Sequence, residues 1–139
     1  MEHYIDKLKH SGLKLTPRRQ AIIALFIERK SHLTPEKVWE YLKKKFSRCG
    51  LPGVYRNLES LVECGILTRI QQFDSKKHYS LCSIGYGHDH HHFICRKCNK
   101  VEEVDFCNFK VISRFIEDNL HAKVEAHQFQ IQGLCSKCK

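Results

Sequence analysis

The sequence predicts an α+β chain in which an N-terminal winged helix-turn-helix is followed by a small α/β domain closed by a four-cysteine structural zinc site. Three observations carry that expectation. Proline-led amphipathic runs fill the chain up to Gly65, strand-like alternation replaces them from Ile66, and two Cys-x-x-Cys pairs, Cys95/Cys98 and Cys135/Cys138, bracket the C-terminal part. Zinc is four-coordinate and favours thiolate sulfur, and a two-residue spacer lets one tight turn deliver two sulfurs, so two such turns complete a tetrahedron.

Element by element, a short helix over about 4–9 leads in. Thr16-Pro17 and Thr34-Pro35 then each set a capping hydroxyl before a proline at the first helical position. The first opens a run with Ala21, Ile22, Leu25 and Phe26 at helical spacing, the second a run with Val38, Tyr41, Leu42 and Phe46. A third helix opens at Gly53 after Pro52, carries Val54, Leu58, Leu61 and Val62, and stops at Gly65 as a C′ residue. ILTRI and KHYSL flank the polar stretch Phe73-Asp74-Ser75-Lys76 as a hairpin. Helices followed by a hairpin make the winged helix-turn-helix, placed at 1–82. Ser83-Ile84-Gly85-Tyr86-Gly87 is a short hinge. The second unit, 88–139, is expected as a strand at 92–95, a zinc turn, a strand at 100–106, a helix at about 108–119 and a strand at 123–133 that ends in the second zinc turn. A module this small draws most of its folding free energy from its metal.

The formal charge of +9 is uneven: residues 1–80 hold 16 Lys and Arg against 8 Asp and Glu, and the remainder holds 8 against 7. A basic unit joined to a metal-rich one suits a polyanion binder attached to a sensor or dimerisation module, although solvated lysines alone would give the same total. No apolar run approaches membrane-spanning length. Met1 leads into a polar segment with no secretory leader, which places the chain in the cytoplasm, where thiols stay reduced; this favours zinc over a pair of disulfides.

The run His88-Asp89-His90-His91-His92 precedes a strand. In an extended segment His90 and His92 project to one side and Asp89 and His91 to the other, so one short stretch can serve two metal centres; a solvated histidine-rich loop is the alternative. His127 shares a strand face with Phe129 and Ile131, opposite glutamines, and therefore points inward, either as a ligand or as a hydrogen-bonded core histidine.

GLKLTPRRQAII, SHLTPEKVW, GVYRNLESLVECGIL, HDHHHFICRKCNKVEEVDF and HQFQIQGLCSKC together resemble the ferric uptake regulator family of bacterial metal-dependent repressors, from end to end of the chain. The resemblance implies a winged-helix DNA-binding domain, an α/β dimerisation domain, structural zinc at Cys95, Cys98, Cys135 and Cys138, and a regulatory metal near the hinge. It carries the regulatory ligands onto His32, His90, His92 and Glu103, and an additional site onto Asp89, His91 and His127, where Lys110 stands in place of the usual glutamate and weakens or removes the site. Tyr79-Ser80-Leu81-Cys82 is similar to the Tyr-x-Leu-Cys of zinc uptake regulators, in which the cysteine is a sensor ligand; Ser80 stands where iron-type members place a glutamate. Thiolate with imidazole suits zinc, whereas carboxylate with imidazole suits ferrous iron or manganese. A buried packing role for Cys82 is the alternative, and the aspartate that zinc-type members carry near Thr68 is missing. Peroxide-sensing relatives use an aspartate where Glu103 stands, which sets a peroxide sensor that oxidises its own histidine behind the metal-responsive reading as the alternative within the family. For DNA, the resemblance assigns Tyr55 and Arg56 to base and phosphate reading, Lys14 to the minor groove, and Arg18 and Arg19 to phosphates; a solvated helix face is the other account of the two arginines. Pro52-Gly53 departs from the threonine-containing segment usual before Val-Tyr-Arg.

A small zinc hydrolase is the rival from another class. The chain has no H-E-x-x-H, its tetrathiolate site leaves no position for water, and the histidine run lacks the H-x-H-x-D-H order of binuclear hydrolases. A constitutive, metal-independent DNA binder would share the winged helix and the structural zinc. The expected function is a homodimeric, metal-activated transcriptional repressor, not an enzyme, with zinc ahead of ferrous iron and manganese as a further option. Its partners are a pseudo-palindromic operator DNA and a second copy of itself, with no membrane and no small-molecule substrate. Cys64 reads as a helix-packing thiol; Cys49 and Cys107 carry no signal in the sequence.

Overall fold

Threonine caps and first-turn prolines start the second and third helices. After α1 (Glu2–His10), helix α2 (Pro17–Arg29) opens with Thr16 Oγ1 accepting the Arg19 amide at 3.2 Å, and α3 (Pro35–Lys43) opens with Thr34 Oγ1 accepting the Lys37 amide at 3.3 Å. Helix α4 (Leu51–Glu63) begins two residues before the Gly53 start expected from the sequence. Pro52 sits inside its first turn, where a missing N–H costs nothing because that donor has no intrahelical acceptor. Gly65 closes α4 with φ +72°, and the Gly65 and Ile66 amides donate to the Val62 and Leu61 carbonyls.

In this computed structural model residues 1–72, 74, 76–82 and 91–139 are described. The expected hinge at 83–87, together with Asp89 and His90, lies outside them. The wing pairs β1 (Leu67–Ile70) with β2 (His78–Leu81) in antiparallel register, Leu67 opposite Leu81 and Ile70 opposite His78. An isolated bridge between Leu33 and Tyr79 adds the segment before α3 to this sheet. Ile22, Ile23, Phe26, Val38, Leu42, Leu58, Leu61, Ile66 and Tyr79 form one core beneath the helices and the wing.

The second sheet has the order β4-β3-β5: β3 (His91–Cys95) pairs antiparallel with β4 (Val101–Val104) and parallel with β5 (Gln130–Gly133), and α5 (Phe109–Leu120) connects β4 to β5. The strand expected at 123–133 is a correction. Only Gln130–Gly133 reaches β3, opposite His92 to Cys95, and the residues before it join through side chains instead of a ladder. No residue of α5 is buried; Val111, Phe115 and Leu120 are 61%, 67% and 70% exposed. The two units touch where Ser31 bridges Lys100 and the Val101 amide faces the Lys30 carbonyl.

Candidate metal centres and nucleic-acid interface

The ends of β3 and β5 lie side by side, so the turns that follow them converge. The Arg96 amide donates to the Gly133 carbonyl at 2.9 Å, and the Cys135 amide reaches Cys95 Sγ at 3.4 Å. Cys95, Cys98, Cys135 and Cys138 form one cluster, with Cys98 Sγ 3.8 Å from Cys135 Sγ. Sulfurs placed tetrahedrally about 2.3 Å from a zinc ion stand roughly 3.8 Å apart, so this donor set fits that metal. Amides of Cys98 and Cys135 lower the Cys95 thiol to about 6, while hydrogen bonding to Cys135, followed by burial, raises Cys138 to about 12. Such opposed shifts arise when one thiolate among crowded sulfurs raises the cost of ionising the next.

Strand alternation divides the described histidines of the run as the sequence predicts. His92 stands opposite Glu103 in the β3–β4 register, so the two side chains share a face, and the ligand atoms of Cys82, His92 and Glu103 lie within 4.8 Å of one another. Cys82 follows β2, and its amide donates to the Ile66 carbonyl at 2.8 Å, which anchors the buried thiol to the first unit. His91 turns to the other face and groups with Cys107 and His127, whose Sγ and Nε2 are 3.3 Å apart. Zinc–sulfur and zinc–nitrogen bonds at a tetrahedral angle imply a separation of roughly 3.5 Å, so these donors also fit a thiolate–imidazole site. His127 stacks on Phe109 with ring centroids 3.7 Å apart, and His91 meets Phe129 edge-on.

His32 is not in the Cys82 trio. The Leu33–Tyr79 bridge sends Leu33 and Tyr79 into the core and leaves His32 and His78 together on the opposite face. Their Nδ1 atoms are 3.0 Å apart, and His78 Nε2 is 2.9 Å from both carboxylate oxygens of Asp74. Burial, with help from His78 and Lys37, lowers His32 to about 4, so its ring is neutral at physiological pH, as a metal ligand must be. Of the expected regulatory set, the structure thus joins Cys82, His92 and Glu103, sets His32 against His78, and leaves His90 outside the described residues. Of the expected additional set, His91 and His127 meet, Asp89 lies outside the described residues, and Cys107 completes the group. Cys107, His78 and Asp74 were missed by sequence reasoning. Cys107 stands only three residues before Lys110, the one signal that could have suggested a substitute ligand.

Among the DNA-reading candidates, Lys14, Arg18 and Arg56 are exposed and Arg19 and Tyr55 are half-buried. Arg19 holds the Lys14 carbonyl at 2.7 Å, Arg18 donates to the Arg48 carbonyl, and the Tyr55 hydroxyl donates to Glu36 at 3.3 Å. These contacts tie the loop before α2 and the loop before α4 to α2, and the N-terminal half of α4 to α3.

Residues 10–132 match the ferric uptake regulator family. The chain belongs to that family. Its members are metal-dependent DNA-binding repressors. The chain is 34% identical to the ferric uptake regulation protein of Bacillus subtilis, over 99% of this chain and 96% of that one. It is 28% identical to the peroxide-responsive repressor PerR of Staphylococcus epidermidis, over 100% and 90%. A solved zinc uptake regulator, complexed with zinc and DNA, superposes with a TM-score of 0.76 over 94% of this chain and 86% of that one; at 21% identity this is a likeness of fold. Among the described residues no helix is long and apolar enough to cross a membrane.

Proposed function

We propose that this member of the ferric uptake regulator family is a zinc-activated transcriptional repressor that binds operator DNA as a homodimer, with residues 1–82 reading DNA and 88–139 binding metal and the partner copy. The convergence of Cys82, His92 and Glu103 carries the reading, since one donor comes from the first unit and two from the second. Thiolate beside imidazole favours zinc over ferrous iron, the next choice. His32 and His90 complete this regulatory set. When bound there, the metal supplies a tie between the units. Cys82 brings the end of the wing to the tie, and His92 and Glu103 bring the sheet that carries α5; a ligand set divided in this way stabilises only the arrangement in which all of its members meet. The DNA-reading helices of a dimer would then be held at the spacing of a two-fold operator, with Tyr55, Arg56, Lys14, Arg18 and Arg19 against the duplex.

The four cysteines hold a structural zinc, and His91, Cys107 and His127 form an additional thiolate–imidazole site in place of the glutamate-containing one. The exposed Val111, Phe115 and Leu120 on α5, with Phe129 and Ile131, are the surface a second copy covers. The test is fluorescence anisotropy on DNA from upstream of the chain's own gene, at buffered free zinc and, anaerobically, at buffered ferrous iron. Cys82→Ser should raise the zinc needed for half-saturation tenfold or more and leave the ferrous response within about threefold. Equal losses for the two metals would remove Cys82 as the metal-selecting ligand, and operator binding indifferent to both metals would remove the switch.

A further inference from the structure

The first zinc turn does more than carry Cys95 and Cys98, because the residues just after it are paired with the first unit. Ser31 bridges Lys100 in antiparallel sense, the His32 amide donates to the Asn99 carbonyl at 3.4 Å, and the Val101 amide donates to the Lys30 carbonyl at 3.4 Å. Leu33 then bridges Tyr79 of β2, so the short segment before α3 is paired with the second unit through 30–32 and with the wing through Leu33. Asn99 is held in this position by the turn itself. It follows Cys98 directly, its amide donates to the Cys95 carbonyl at 2.8 Å, and the Cys95 amide donates to the Lys100 carbonyl at 2.9 Å. Its φ of +63° lies in the left-handed region, where asparagine is tolerated and glycine meets no steric cost. The Asn99 side chain is hydrogen-bonded to the His32 ring. One residue of the zinc turn therefore grips His32 twice, by main chain and by side chain, and His32, Leu33, Cys98 and Asn99 line one cleft between the units.

We infer that Asn99 is a positioning residue for His32, carrying the fixed geometry of the zinc turn to the segment that brings this histidine to the regulatory metal. The inference rests on the reading above, in which His32 is a regulatory ligand. His32 belongs to the first unit and lies outside the trio of Cys82, His92 and Glu103, so a metal that recruits it must order a segment of one unit against the other. That cost is smaller when the segment is already docked. A turn role alone would ask nothing of the asparagine side chain. Glycine accepts a φ of +63° and keeps the carbonyl that receives the His32 amide, but it has no group to meet the ring. The side chain is thus the part of Asn99 that separates positioning from turn geometry.

The test uses full-length protein with its four-cysteine zinc retained and compares wild type with Asn99→Gly, His32→Ala and the double variant. Zinc affinity at the regulatory site, measured against a competing chelator, should fall about tenfold or more in Asn99→Gly, with the cysteine-bound zinc unchanged. In the His32→Ala background the same substitution should cost no more than about twofold, because the side chain then has no ring to hold. A measurement on wild type needs no variant: without regulatory metal, the Asn99 carboxamide protons should show a nuclear Overhauser contact with the His32 ring. Absence of that contact overturns the inference. So does wild-type affinity in Asn99→Gly when His32→Ala is impaired, a result that leaves His32 its role as a ligand. An equal loss from Asn99→Gly with and without the imidazole overturns it as well, since the side chain would then act on the turn and not on His32. Unchanged affinity in His32→Ala removes His32 as a ligand, and the positioning role of Asn99 goes with it.

Discussion

Residues 1–82 bury Ile22, Ile23, Phe26, Leu42, Leu58, Leu61 and Tyr79 to 1% exposure or less, whereas the buried apolar positions described in 91–139 are Ile94, Cys95 and Cys135, two of them thiols of one cluster. The first unit is stabilised by apolar burial, at about 25 cal/mol for each Å² removed from water. The second has a three-stranded sheet whose adjoining helix buries no side chain, and its two buried thiols belong to the four-sulfur cluster. One half therefore has an apolar core of its own, while the other has few buried apolar side chains and an uncovered α5 among the described residues. Under the proposed function this division is useful, because a half that reads DNA would stay folded while a half that senses metal changes its preferred arrangement.

Breaking the cluster should produce the largest effect. Cys95→Ser removes a fully buried donor, and structural zinc in small domains supplies about 10 kcal/mol or more of apparent folding free energy. In hydrogen exchange the amides of β3 and β5 should lose protection while those of α2 and α4 keep theirs. Uniform loss would mean that the two units fold as one. Next comes the surface on α5. Phe115→Glu puts a charge where 67% of a phenylalanine is exposed, and should weaken self-association by about 2–4 kcal/mol, read as a shift from dimer to monomer in sedimentation equilibrium with zinc content unchanged. A persistent dimer would move the interface elsewhere.

The same contrast explains what was legible in the sequence. Helices α2 and α3 announce themselves through Thr-Pro caps, α4 through its 3.6-residue spacing and its stop at Gly65, because local sequence and tertiary burial agree there. Alternation also separates His91 from His92, since opposite faces of a strand follow from its geometry alone. What local pattern could not supply was pairing across the chain. The expected strand at 123–133 has the right alternation, yet only its last four residues meet β3, and His127 is held by Phe109, Cys107 and His91 instead. Cys107 and His78 have no signature of their own; each acquires a role from a partner 20 or more residues distant.

Smaller effects belong to the well-packed unit, where single contacts are backed by a core. Arg56→Ala, at an exposed position on α4, should cost about 1–3 kcal/mol of operator affinity without changing metal content, and unchanged affinity in the anisotropy assay would take Arg56 out of the interface.

The smallest expected effect lies at Glu59, which joins α4 to the wing by accepting from Arg69 on β1 and from the Tyr79 hydroxyl on β2. The Arg69 contact holds its carboxyl below the usual range against the opposing effect of burial, with Tyr79 adding to the lowering. A depressed carboxyl contributes stability that is present above its unfolded value, near 4.5, and is lost as pH falls through the folded value. Since the side chain is 28% exposed and its partner Arg69 is 59% exposed, screening limits the contribution to about 1 kcal/mol. Glu59→Gln should therefore lower urea stability by roughly that amount at pH 7 and flatten the loss of stability as pH falls below the unfolded value near 4.5. A variant as stable as wild type at pH 7, with the same acid slope, would show that the wing is held to α4 by Ile66, Leu67 and Tyr79 packing alone. The comparison between the two units would then sharpen: the first would owe its order to apolar burial even where charges bridge its elements.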